Sequence, residues 1–105
     1  MEAAIHAATY AITALRWHNT DIDEAMVGLI DPQRTEWDLA PAPARVNDLV
    51  DKLVEGDRVV TLFPDAHGRW LLGPEVKVTV LPGGAETLSL AEDAQGRRLD
   101  DLPRY

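Results

Sequence analysis

The sequence predicts a single α+β domain, made of an antiparallel sheet of about five strands and one amphipathic helix in the order ββαβββ. Two patterns predict this class. One stretch, residues 43–55, has apolar residues at helical spacing, and several short segments before and after it alternate apolar and polar residues as strands do. The length of 105 residues, 46% of them hydrophobic, suits one packed core. We expect residues 1–9 to form a flexible terminus and residues 10–105 to form the domain.

The first two strands form a predicted hairpin. Residues 10–17 are rich in β-branched and aromatic side chains, a polar cluster follows, and residues 22–30 read as the return strand. Three prolines in residues 31–43 then predict a loop, because proline cannot donate to a sheet ladder. Trp37, in the middle of this segment, is either a short strand residue or a plug over the core.

The helix over residues 43–55 has the clearest pattern in the chain. Its apolar positions recur three or four residues apart and cover an arc of roughly 140° at the helical angle of about 100° per residue. Pro43 suits the first turn and Gly56 suits the position just after the end. We expect its apolar face to consist of Val46, Leu49, Val50, Leu53 and Val54.

Three or four further strands follow the helix, from segments at residues 58–63, 70–72, 75–81 and 86–90, with turns at 64–68, Gly73–Pro74 and 82–84. The polar tail from residue 91 contains a turn at 93–96. Short connections favour antiparallel neighbours. A single helix covers one face of the sheet, so the other face needs the Trp37 segment, the tail or a second copy of the protein.

Composition narrows the classes of partner. The net charge is −8, from 18 acids and 10 bases, and this field disfavours nucleic acid and membrane surfaces as partners. A basic protein or a cation stays open. The chain contains no cysteine, which excludes disulfides, thiolate metal sites and cysteine nucleophiles. Its N-terminus lacks the basic start and apolar run of a secretory signal, so we expect a cytoplasmic protein.

No motif identifies a reaction, a cofactor or a metal site. The histidines His6, His18 and His67 have no spacing that would bring three ligands together. Arg16 and His18, near one end of the hairpin, could form a small-molecule or catalytic site together with Trp70. Polar residues at turn tips are more often there for solubility and backbone capping. We therefore assign no catalytic residues, and the sequence favours a non-catalytic protein.

Two features are candidate interaction surfaces. Asp48, Asp51 and Glu55 form an acidic stripe on the helix, which is either a solvated face or a docking surface for a basic partner. Tryptophan is enriched at interface hot spots, and the chain has three: Trp17, Trp37 and Trp70. If all three are buried as core, the best evidence for any site disappears.

Three segments resemble a known family. Residues 86–105 are similar to the ending of a small bacterial family, the domain of unknown function 3892, with Leu99, Leu102 and Pro103 matching and Arg98 where an asparagine is usual. Residues 12–16 are similar to its opening strand and residues 46–56 to its helix. The resemblance implies a compact α+β domain with no established activity, whose tail docks on the sheet through Leu99 and Leu102.

The leading hypothesis is a bacterial, non-catalytic interaction module that binds a protein partner, possibly a basic one, through its acidic or aromatic surface. One alternative is a small-molecule-binding protein or enzyme with a site near Arg16, His18 and Trp70. Another is a homodimeric structural domain whose sheet is covered by a second copy.

Overall fold

The computed structural model describes residues 9–19, 21–31, 33, 36–64, 67–90 and 98–105. The predicted flexible terminus and the predicted turn at 93–96 lie outside these ranges, except that Thr9 begins the first strand. The α+β class is confirmed, with one α-helix among the described residues packed on a six-stranded sheet. The elements are β1 (Thr9–His18), β2 (Asp21–Asp31), β3 (Glu36–Arg45), α1 (Val46–Val54), β4 (Arg58–Pro64), β5 (Trp70–Val80), β6 (Glu86–Leu90) and a 3-10 turn (Leu99–Asp101).

The sheet is mixed, with the strand order β3-β2-β1-β4-β5-β6. The expectation of a purely antiparallel sheet is wrong at one pair, because β1 and β4 run parallel, with Thr9 to Ile12 alongside Arg58 to Thr61. Parallel neighbours need a crossover connection. The chain makes that crossover through α1, which carries it from β3 at one edge to the far side of β1.

The predicted loop over residues 31–43 is wrong, because Glu36–Arg45 forms the edge strand β3 and pairs with β2. An edge strand leaves one side of its backbone unpaired, so a residue without an N–H group is tolerated there. Pro41 and Pro43 occupy such positions. The helix consequently begins at Val46, three residues later than predicted.

Strand β5 is continuous, whereas the sequence predicted two strands separated by Gly73–Pro74. Its first part, as far as Glu75, pairs with β4, and its second part, from Val76, pairs with β6. The Gly-Pro step lies at an irregularity of the pairing with β4, between Leu72 and Glu75. The Thr61 hydroxyl donates a hydrogen bond to the Pro74 carbonyl at 3.0 Å. A Cβ at Gly73 would collide with the Thr61 hydroxyl and the Phe63 ring, so glycine permits this close approach.

The main core lies between α1 and the sheet. The predicted apolar face of the helix is confirmed at Val46, Leu49 and Val50, which are buried, and Leu53 is partly buried against them. Val54 is 74% exposed, contrary to expectation, because it lies at the margin of the apolar arc and is the last helical residue. The sheet and tail residues of this core are Ile12, Leu15, Ala25, Val59, Phe63, Val76, Leu88 and Leu102.

The second face of the sheet carries a smaller cluster formed by Ala11, Ile30, Val60 and Leu62. Half-buried Trp37 packs against it. Its ring lies so close to the Gly28 Cα that a Cβ at this position would collide with it. Trp37 is thus a strand residue that covers part of this face.

The C-terminal tail docks on the helix side of the sheet, and the expected contact of Leu99 and Leu102 with the sheet is observed. Leu102 is 2% exposed and belongs to the main core, with Leu99 partly buried against it. The Leu15 N–H donates to the Pro103 carbonyl at 2.8 Å, and the Tyr105 N–H donates to the Leu15 carbonyl at 3.2 Å. The tail therefore continues the sheet along β1 beyond the residues that pair with β4.

Candidate functional site

The acidic stripe lies on the solvent side of the helix. Asp48, Asp51 and Glu55 are all exposed. The only base on this helix, Lys52, places its ammonium group 4.8 Å from the centre of the Tyr10 ring. The pKa of Lys52 is raised, mainly by its interaction with the Tyr10 hydroxyl and then by the charges of Glu55 and Asp57. The stripe is therefore a hydrated negative surface.

The side chains of Trp17 and Trp37 both pack against core residues. Trp17 is half-buried in the main core, and the Arg104 guanidinium lies 5.1 Å from its ring centre, so it helps to hold the tail. Within the part of the chain that the structure describes, nothing accepts a hydrogen bond from its buried Nε1. Trp37 covers the second face of the sheet. Neither ring is fully buried, but both have packing roles.

Trp70 differs from the other two because it lies at the surface. It is 40% exposed, and the next residues along β5, Leu71 and Leu72, are 41% and 54% exposed. Trp70 is opposite Pro64 and Leu72 is opposite Leu62 in the pairing with β4. Trp70 and Leu72 therefore lie on the second face, and Leu71 points to the helix side.

Among the described strands, this stretch of β5 has a neighbour on one side only. Residues 70–75 pair with β4 on one side only, and β6 begins to pair at Val76. Across the described ranges, no strand pairs with residues 70–73 on the side away from β4. We call these four residues the open edge segment.

The opposite edge of the sheet is protected in the usual way. Strand β3 carries prolines at 41 and 43 and charged residues at 36, 38 and 45, which discourage pairing with another strand. The open edge segment, by contrast, contains no charged residue and no proline, and the nearest proline is Pro74, directly after it. No described strand covers this apolar edge, and an uncovered apolar edge is a ready template for an added strand.

Arg16, His18 and Trp70, the residues of the alternative site, lie on different parts of the sheet. Arg16 and His18 are exposed near the end of β1, and Trp70 begins β5. Strand β4 lies between β1 and β5 in the sheet order, so the two strands are roughly 10 Å apart at the usual spacing. None of the three residues lines the groove beside α1 or the polar pocket at the start of α1.

A groove of about 210 Å³ opens between α1 and the strands β2 and β3. Aliphatic residues and Tyr10 form most of its wall, and Asp48 and Lys52 lie on its helix side. Its lining includes Tyr10, Val27, Leu29, Leu39, Ala42 and Leu49. We call it the apolar groove.

A smaller pocket of about 180 Å³ lies at the start of α1 and is polar, with Asp23, Arg45, Asn47 and Glu86 among its residues. In the described ranges, no group of three or more acidic or histidine side chains is arranged to hold a metal ion. No helix there is long and apolar enough to cross a membrane.

Sequence reasoning singled out Trp70 but missed Leu71, Leu72 and the apolar groove. It did predict a strand at residues 70–72, and three consecutive apolar residues usually indicate a strand buried on both faces. That pattern does not reveal which strands become neighbours, and no described strand lies beside residues 70–73 on the side away from β4. The groove depends on how the helix crosses the sheet, which no local pattern encodes.

The comparisons with known proteins found no relative. No family model matches the chain, and no curated protein or solved structure is significantly similar to it.

Proposed function

We propose that this protein is a non-catalytic interaction module that binds an extended segment of a protein chain by adding it as a strand to the open edge segment. One observation carries the proposal. Trp70, Leu71 and Leu72 are exposed consecutively on a part of β5 with no neighbour on one side among the described strands.

Strand addition uses two kinds of contact. Backbone hydrogen bonds along the edge supply affinity, and alternating side chains on the two faces supply specificity. Trp70 and Leu72 would contact the added strand on the second face, and Leu71 would contact it on the helix side. Tryptophan with leucine around it is a composition suited to the centre of an interface.

The acidic character of the chain has a secondary role in this proposal. Asp48, Asp51 and Glu55 are hydrated and lie on the helix, so they do not form the docking surface. The net charge of −8 would attract a basic partner over long range and speed its encounter. The same negative charge disfavours binding to nucleic acid and to anionic membranes. The cytoplasmic location stays a prediction.

A peptide-display selection tests the proposal. Random octapeptides are selected on the immobilised protein, and we expect enriched peptides with apolar residues at alternate positions and micromolar affinity. Leu72→Lys, which places a charge on the open edge, should weaken their binding at least tenfold. Val80→Lys is the matched control, because Val80 lies on the same strand, is 64% exposed and pairs with β6. Peptides that bind both variants equally, or no enrichment, would refute the proposal.

The apolar groove supports a second candidate function, the binding of a small apolar ligand. Pockets for small molecules are mostly lined by apolar side chains with a few polar groups, and this groove has Lys52 and Asp48 in those positions. Indole and hexanoate, titrated separately, should shift the amide NMR signals of Val27 and Leu49. Filling the groove by Ala42→Phe should abolish the shifts. Absence of shifts at millimolar concentration would exclude this function for these two ligand types.

A further inference from the structure

We infer that the apolar groove binds a free α-amino acid with an aliphatic or phenyl side chain, as a zwitterion whose two charges are matched by Asp48 and Lys52. The inference rests on the second candidate function, because it names the ligand class of the same groove. Three features of the molecule support it: the small side chains in one wall, the two opposite charges on the helix side and the net charge of the chain.

The groove exists because the wall formed by the edge strand β3 has small side chains. Ala42 lies opposite Val27 in the pairing with β2, and Val27 packs against the main core, so both residues face the helix side. The methyl group of Ala42 leaves the space between β3 and Leu49 unfilled. All the residues that line the groove belong to the described elements β1, β2, β3 and α1.

The size of the groove suits a single apolar side chain. Its volume of about 210 Å³ exceeds the roughly 150 Å³ of an apolar cavity that holds benzene. It is smaller than the pockets of about 300–1,000 Å³ that bind drug-sized ligands. Leu39, which lines the groove, is 63% exposed, so an apolar ligand would remove part of this side chain from water. A leucine or phenylalanine side chain therefore fits.

Two opposite charges lie on the helix side of the groove. Asp48 and Lys52 are four residues apart and are therefore neighbours on the helix surface. The Lys52 ammonium lies over the Tyr10 ring, and the acids that raise its pKa are Glu55 and Asp57 rather than Asp48. The two groups are thus not neutralised by each other. An α-amino acid carries an ammonium group for Asp48 and a carboxylate for Lys52 on one carbon.

A zwitterion matches these charges better than an ion of either sign. A carboxylate without an amino group would leave Asp48 unmatched and would approach a chain of net charge −8. An amine without a carboxylate would be repelled by Lys52. A zwitterion has no net charge, so the field of the protein does not oppose its approach. Because ion pairs at exposed positions contribute weakly, we expect each of the two to change affinity only about threefold.

Ligands with the same side chain test the two charges separately. Leucine, 4-methylpentanoate (leucine without its amino group) and 3-methylbutylamine (leucine without its carboxylate) share an isobutyl group, and glycine lacks it. Each is titrated while the amide NMR signals of Val27 and Leu49 are recorded. We expect leucine to bind with a Kd on the order of 1 mM. The two analogues should bind about threefold more weakly, and glycine at least about tenfold more weakly.

Variants of the chain test the same contacts from the protein side. Asp48→Asn and Lys52→Gln each remove one charge, and each should weaken leucine binding about threefold. Asp48→Asn should not weaken the binding of 4-methylpentanoate. Asp51→Asn is the matched control, because it removes the same charge from an exposed position of the same helix that does not line the groove. Ala42→Phe should abolish binding of every ligand, and thermal melts check that the variants stay folded.

The outcomes separate this inference from the second candidate function. Leucine binding no tighter than that of its two analogues, or weakened equally by Asp48→Asn and Asp51→Asn, would overturn the inference. If indole and hexanoate still shift the signals of Val27 and Leu49, the groove binds apolar ligands without selecting amino acids. The absence of shifts with every ligand would refute both, and strand addition at the open edge segment would be unaffected.

Discussion

Replacing Leu102 with alanine should destabilise the domain by about 2–3 kcal/mol, because this side chain anchors the C-terminal tail in the main core. Leu102 is 2% exposed, and the change removes three buried carbon groups at about 0.8 kcal/mol each. A residual cavity adds to this, and measured losses for leucine to alanine span about 2–5 kcal/mol. We place the value low in that range, since a terminal segment relaxes more easily than a central strand.

Urea unfolding followed by circular dichroism measures this loss. In a thermal melt it corresponds to a decrease of roughly 10–20 °C in Tm for a domain of this size. Hydrogen exchange gives a local readout, because the Leu15 N–H donates to the Pro103 carbonyl and should exchange faster once the tail is loosened. Val54→Ala is the control, since an exposed side chain should change stability by less than about 0.5 kcal/mol.

A different result would contradict this account of the tail. If Leu102→Ala loses less than about 0.5 kcal/mol and exchange at Leu15 is unchanged, the tail does not belong to the cooperative core. If exchange at Leu15 increases without global destabilisation, the tail docks as a separate unit and opens locally.

Two further predictions concern close packing and titration. Gly73→Ala should destabilise the domain by about 1–3 kcal/mol in a thermal melt, because its Cβ would meet the Thr61 hydroxyl and the Phe63 ring; an unchanged Tm would contradict this packing. The pKa of Tyr105 is raised above 10.0, first by burial and then by the Glu24 carboxylate, which accepts a hydrogen bond from its hydroxyl. The folded state therefore favours the neutral phenol, and this contribution to stability is complete below pH 10 and lost as the pH rises through the higher folded pKa. NMR titration of the ring carbon should give a lower pKa in Glu24→Gln that is still above 10.0, and no decrease would exclude the carboxylate as a cause.

Local patterns predicted much of the secondary structure. The helix was found from its spacing alone, since the burial of Val46, Leu49 and Val50 on one side is a consequence of the helical period. The strands β1, β2, β4 and β6 were each placed within one residue of their observed bounds, because alternation and turn residues are local signals. The acidic stripe was equally predictable, being the solvent side of the same helix.

Strand β3 shows where local reasoning failed. Its prolines are typical of a loop, and only the position at the sheet edge makes them compatible with a strand. The continuity of β5 through Gly73–Pro74 also depends on long-range pairing, since the strand accommodates this step as an irregularity in its pairing with β4. The parallel pairing of β1 with β4 depends on the crossover through α1, which connection length alone did not reveal.

The three tryptophans show most clearly what the sequence determines and what only the tertiary structure decides. By itself the sequence indicated that Trp17 and Trp70 lie at strand ends, and it left Trp37 in a predicted loop as either a short strand residue or a plug over the core. Only the tertiary structure decided that Trp17 lies under the tail, that Trp37 covers the second face and that Trp70 stays exposed. The physical reason is that exposure depends on which segments become neighbours in the sheet. Those neighbours are set by long-range pairing, whereas a sequence pattern reports only which side of a segment is apolar.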